Sequence, residues 1–281
     1  MASEYHTHIE STNKLLSVNL KELWHYRDLI LLFTKRSFVV TYKQTVLGPA
    51  WIILTPFITS VIYTIVFGGI AGISTNGVPQ LLFYMGSNAV WTYFATCFNK
   101  TASTFTSNAG VFGKVYFPRL TMPISTVFSA VINFLIQLCM FGIFFVYYLV
   151  IGAVHPNWFA LPLLLLVIFQ LGCLGLGCGV IVSSLTTKYR DLAIVVTFGV
   201  QLWMYASPVV YPMSQLTNPF FQFILHINPA SAAVETFRYV MLGVGEISVE
   251  WWLLTIVITA ILLFFGVILF NKVEKTFMDT V

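Results

Sequence analysis

Glu235 and Arg238 stand three residues apart inside PFFQFILHINPASAAVETFRYVMLGVG, a stretch with no other Asp, Glu, Lys or Arg. On a helix that spacing puts the acid and the base on one face, where they can pair. Few other groups in the chain could do chemistry. Cys97, Cys139, Cys173 and Cys178 lie in apolar segments without C-x-x-C spacing and read as small buried hydrophobes. His6 and His8 have no third ligand near them, so neither a metal nor a redox role is inferred. G-x-S-x-G and H-E-x-x-H are absent, which argues against a membrane-embedded hydrolase or metalloenzyme. The phosphate-cradling loop G-x-x-x-x-G-K-[ST] is absent too, so the chain cannot hold ATP in that way. Active transport would need energy delivered by another polypeptide.

The elements that must position these residues follow from composition. Hydrophobic residues make up 58% of the chain, charged residues 9%, and the mean hydropathy is +0.87. An ordinary soluble domain would be about one quarter charged. The composition is that of a polytopic membrane protein, all-α, and its 281 residues leave no room for a separate soluble enzymatic domain. Six segments are long and apolar enough to be read as spans: residues 46–69, 81–98, 122–151, 158–185, 192–211 and 251–270. None contains Asp, Glu, Lys or Arg. Ion-coupled transporters, proton relays and voltage sensors need ionisable groups within the membrane, so that whole class is disfavoured.

Thirteen of the fourteen Lys and Arg fall in the N-terminal segment, the 99–121 and 186–191 connections and the C-terminal tail. The positive-inside bias then places both termini in the cytoplasm. On the opposite face the 70–80 and 152–157 connections are short, and the 212–250 connection is long. A seventh span there would bury Glu235 and Arg238 in lipid and put Lys272 and Lys275 on the wrong side. Two short re-entrant helices within 217–245, broken by Pro219 and Pro229, fit better. Residues 172–179 hold Gly172, Gly175, Gly177 and Gly179, a pattern that favours close helix packing over a hinge.

Before the first span comes a polar tail, 1–19, with no apolar core of the kind a signal peptide has, and then an amphipathic helix over 20–34. Asn19 and Glu22 have the spacing of a capping box. Leu20, Leu23, Trp24, Ile30 and Leu31 share one side of this helix, and Lys21, Glu22, His25 and Asp28 the other. Such a helix suits a membrane surface. The 100–123 connection has an apolar patch at Val115, Tyr116 and Phe117, readable either as a short helix offered to a soluble partner or as a solvated turn.

The succession KELWHYRDLILLFTKRSFVVTYKQTVLGPAWIILTP, GKVYFPRLTMPIS, KYRDL, QLWMYASPVVYP and INPASAAVETFRYVMLG resembles the permease subunit of ATP-binding-cassette polysaccharide exporters, the type 2 permeases that export O-antigen, capsule and teichoic acid. The resemblance runs from about residue 20 to residue 270. It implies a homodimer in the bacterial inner membrane, with two copies of a cytoplasmic ATPase that bind ATP and Mg, a lipid-linked polysaccharide as substrate, and no nucleic acid or catalysis in this chain. The ATPase contacts it implies are the 20–33 helix, with Lys21, Glu22, Trp24, Arg27 and Asp28, and the 101–118 loop, with Val115, Tyr116 and Phe117. External gate helices would carry Asn228, Pro229, Glu235 and Arg238.

Two expectations follow for the substrate path. Arg36, Lys43, Lys114 and Arg119 at the cytoplasmic boundary could attract a lipid-linked pyrophosphate, or simply anchor the chain. Trp51, Tyr63, Trp91, Tyr93, Trp203 and Tyr205 could offer flat faces to sugar rings, or form an interfacial belt. Other readings stay open: a type 2 exporter of drugs or small lipids, a passive channel subunit, or a membrane-embedded transferase drawing on His25, His155, His226, Glu235, Glu246 or Glu250.

Overall fold

The computed structural model describes residues 20–280 except Gln44, Gly113, Tyr116 and Arg190, with the backbone alone at Leu20 and 274–280. The 1–19 tail, the Asn19 cap and Tyr116 therefore lie outside the described residues. Among the described residues the regular structure is helical throughout. Helices α1 (Leu20–His25) and α2 (Arg27–Tyr42) come first, followed by α3 (Trp51–Tyr63), α4 (Gln80–Ala102) and α5 (Thr104–Phe112). The chain continues through α6 (Thr121–Val150), α7 (Pro162–Thr186), α8 (Leu192–Tyr205), α9 (Pro219–Ile227), α10 (Pro229–Leu242) and α11 (Val249–Thr280).

Four stretches are long and apolar enough to cross a membrane: Gly48–Ile70, Thr121–Val150, Pro162–Thr186 and Val249–Val273. Two of the six expected spans fall short, each for its own reason. The α4 helix has the length but carries Gln80, Ser87, Asn88, Asn99 and Lys100, and other helices surround it, so it needs no lipid-facing apolar surface. The α8 helix is apolar but stops after 14 residues, ahead of Pro208, and the expected 192–211 segment is a turn beyond Tyr205. The Gly48–Ile70 stretch holds Pro56 within α3 and ends in a π-helical turn over Thr64–Ile70.

Glycine spacing sets how the bundle closes. On α7, a Cβ at Gly175 would sit 2.5 Å from Cys97 Cβ, and one at Gly179 would sit 2.8 Å from the Phe98 carbonyl, both on α4. On the other side of α7, a Cβ at Gly177 would come 2.8 Å from the Leu263 amide of α11, and one at Gly266 would come 2.7 Å from the Gly177 carbonyl. The glycines of α7 let α4 and α11 approach its backbone from two sides, so the packing reading of that cluster holds and α4, α7 and α11 form one tight stack.

The N-terminal helix differs from expectation in length and facing. It breaks at Tyr26 and then runs to Tyr42, past the expected end at residue 34. Leu23 and Ile30 are buried, whereas Trp24 and Leu31, expected on the same side, are exposed. Hydrogen bonds at the i→i−4 spacing continue across Tyr26, and Tyr26, Leu29 and Phe33 join Leu23 against the bundle.

Candidate functional site

At one end of the bundle α10 is held by a polar hub. Asn228 caps it, its Oδ1 accepting from the Ala230 amide at 3.1 Å, and Pro229 occupies the first helical position, where a missing N–H does no harm. The same Oδ1 accepts from Trp203 Nε1 at 3.1 Å, while Nδ2 donates to Ser207 Oγ at 2.8 Å and to the Ala206 carbonyl at 3.0 Å. One side chain thus joins the start of α10 to the end of α8. Gly243 closes α10 in the left-handed region with φ 71°, where a side chain would also run into the His155 carbonyl.

Glu235 and Arg238 pair at 2.9 Å, as their spacing predicts. Arg238 is only 1% exposed and uses its whole guanidinium. Its Nε donates to Ser87 Oγ of α4 at 2.8 Å, Nη1 donates to the Tyr211 carbonyl at 3.2 Å and Nη2 to the Val209 carbonyl at 2.9 Å. The guanidinium carbon lies 3.8 Å from the centre of the Phe83 ring. Burial pushes the Glu235 carboxyl up, and Arg238 together with the backbone N–H groups of Met213 and Glu246 pulls it back down. The pair therefore bolts α10 to α4 and to the chain on either side of the short helices. Sequence spacing gave the pair but not Ser87, Tyr211 or Val209, because those partners come from elements far apart in the chain.

The opposite end carries an aromatic cluster. Phe33 of α2 packs on Phe117 with ring centroids 5.6 Å apart, Phe117 on Phe112 at 5.8 Å, and Phe105 of α5 stacks on Phe270 of α11 at 4.5 Å. The two segments expected to meet an ATPase are thus brought together in one cluster with the end of α11. Lys21, Trp24, Arg27, Asp28 and Val115 are exposed there, and Glu22 is half-buried. Phe117 corrects the expectation of an apolar patch offered outward, because it is 5% exposed and fills the seam between α2 and α5. The short helix of this connection, α5, lies before the patch and does not contain it.

Of the cytoplasmic-boundary cations, Arg36, Lys43 and Lys114 are exposed, and Arg119 is half-buried with its guanidinium carbon 5.5 Å from the centre of the Phe112 ring. The six aromatics divide. Trp91 and Tyr93 are 5% and 3% exposed inside the bundle, where Trp91 packs on Phe94 and Tyr93 donates to the Ile168 carbonyl, so neither offers a free face to a sugar. Trp203 is half-buried and committed to Asn228. Tyr63 is half-buried, and its hydroxyl meets Met204 Sδ at 3.3 Å, a single side-chain contact between α3 and α8. Trp51 and Tyr205 are exposed on those two helices.

Comparison with known proteins fits this arrangement. Residues 28–242 match the family described as ABC-2 type transporter. The chain is similar to O-antigen export system permease proteins RfbA. Two are from Klebsiella pneumoniae, 25% identical over 268 residues and 26% over 271, each alignment taking in 94% of this chain and 99% of the relative. A third, from Myxococcus xanthus, is 25% identical over 224 residues, 78% of this chain and 82% of the relative. With its apolar helices, its two-ended architecture and the match over most of its length, the chain belongs to the ABC-2 type transporter family, as a multi-pass permease of the inner membrane.

Proposed function

We propose that this chain is the membrane-spanning half of an exporter of lipid-linked polysaccharide, O-antigen in the first instance, driven by ATP hydrolysis on a separate subunit. The observation that carries the reading is the likeness, over nearly the full length, to permeases named for O-antigen export. In this reading α4 and α8 complete six crossings, both termini are cytoplasmic, and two copies of the permease pair with two copies of an ATPase that holds ATP and Mg. The exposed apolar faces of the Gly48–Ile70 stretch and of α8, including Ile62, Ile65, Val195, Phe198 and Tyr205, are where a second copy would pack and where Tyr63 and Tyr205 would flank a passing glycan.

The motor would press on the exposed part of α1, α2 and on Lys114 and Val115. Movement would pass through the Phe33–Phe117 and Phe105–Phe270 contacts into α11, and from there through the glycine-tight stack of α4, α7 and α11 to the Arg238 hub. A bolted hub suits a short helix that must shift as a unit with α4. Arg36, Lys43, Lys114 and Arg119 would draw the lipid pyrophosphate toward the entry side by charge-assisted hydrogen bonds. The test is deletion of the gene with complementation. Loss of surface glycan, with lipid-linked glycan accumulating in the cytoplasmic leaflet and an ATPase co-purifying with the tagged chain, is the expected result. Unchanged surface glycan overturns the reading.

A further inference from the structure

Between the two short helices and the start of α11 lies a cavity of about 130 Å³, mostly apolar in its lining, that meets the hub through Glu235. Ser231 faces it from the first turn of α10. That residue is 1% exposed, and its Oγ is buried without a hydrogen-bond partner in the protein. A buried hydroxyl left unpaired is unfavourable, and a bound polar group relieves it. The lining also includes Glu235, Glu246 and Ser248, together with Trp251, which is stacked on His226 with centroids 4.6 Å apart.

Among the described residues no Lys or Arg lines this cavity. Arg238 is consumed by Glu235, Ser87 and two carbonyls, and burial lowers the His226 pKa, favouring the neutral ring. Glu235 is in turn compensated by Arg238, and Glu246, the other carboxylate of the lining, disfavours phosphate and carboxylate ligands. The remaining fit is an uncharged molecule with several hydroxyls to donate to carboxylates and a C–H face to lie on indole and aliphatic carbon. We infer that the cavity is an outer subsite for one uncharged sugar residue of the exported chain. This rests on the reading of the protein as a glycan exporter, but its failure can be told apart from the failure of that reading.

The experiment uses the full chain with its ATPase in lipid nanodiscs and saturation-transfer NMR with glucose, galactose, mannose, rhamnose and N-acetylglucosamine as probes. At least one sugar shows transfer to its ring protons, reduced roughly fivefold or more by Glu246→Gln and by Ser231→Val. Glu246 is exposed, so its variant keeps the fold even where the buried Ser231 variant loses it. Absence of transfer from every sugar, equal transfer in the Glu246→Gln protein, or saturation by ethanolamine alone would each overturn the subsite. If gene deletion still abolishes surface glycan under any of those outcomes, the subsite falls and the exporter reading stands.

Discussion

Arg238 has five N–H donors and no freedom to meet water, so its environment must supply every acceptor. Glu235, Ser87 and two backbone carbonyls supply acceptors for four of the five, with all three guanidinium nitrogens engaged. Removing one member of a buried pair leaves the other charged or half-satisfied in a low-dielectric site, at a cost of about 3–5 kcal/mol. Arg238→Met is expected to lower the unfolding midpoint of the detergent-solubilised protein by that order. The double variant Glu235→Leu/Arg238→Met loses less, because neither charge remains stranded. A midpoint for Arg238→Met equal to wild type would show that the pair does not hold the fold. Asn228→Ala removes a helix cap, worth about 0.5–2 kcal/mol, and unties Trp203 and Ser207 as well, so its loss lies at the upper end of that range. Differential scanning fluorimetry ranks the variants directly.

Among the helices, α7 is confined by backbone on two sides, and the consequence is specific to position. Gly175→Val and Gly177→Val each force a branched side chain into space occupied by Cys97 or by the α11 backbone, an overpacking of at least about 1–3 kcal/mol. Gly142→Ala on α6 meets nothing within 4 Å and is expected to gain up to about 1 kcal/mol from helix propensity. If all three variants raised the melting temperature, helix propensity rather than interhelical contact would be in control. Across the α1–α2 junction at Tyr26 the buried residues Leu23 and Ile30 keep helical spacing, and Phe33 packs in the same cluster.

The molecule as a whole has two polar or aromatic ends joined by a rigid stack, and predictions about transport belong here. A double variant, Trp24→Asp/Val115→Asp, changes only exposed side chains at the motor end. It is expected to reduce ATPase co-purification about tenfold and surface glycan with it, while the melting temperature stays unchanged, since surface substitutions usually cost within ~0.5 kcal/mol. Undiminished ATPase binding would place the docking surface elsewhere. On the proposed capture of a lipid pyrophosphate, Lys43→Gln combined with Arg119→Gln would remove two charge-assisted contacts of about 1.5–3 kcal/mol each and should lower export roughly tenfold or more at equal membrane abundance. Normal surface glycan in that strain would leave these residues as membrane anchors.

The sequence by itself determined what depends on local geometry and on inventory. An apolar composition with scarce charges dictates a membrane protein, because a soluble surface could not be built from 9% charged residues. The missing nucleotide loop points to an outside motor, the i, i+3 spacing pairs Glu235 with Arg238, and the prolines at 219 and 229 start two short helices. Only the tertiary structure decided which residues meet across the chain. It made the more polar α4 the buried centre, placed Trp91 and Tyr93 inside and Tyr205 outside, turned Phe117 inward, and brought Ser87, Tyr211 and Val209 onto Arg238. Periodicity tells which side of a helix is apolar but not whether that side faces lipid, another helix or a second protein, and in a chain this uniformly apolar the choice is made by backbone approach at glycine and by satisfaction of buried polar groups.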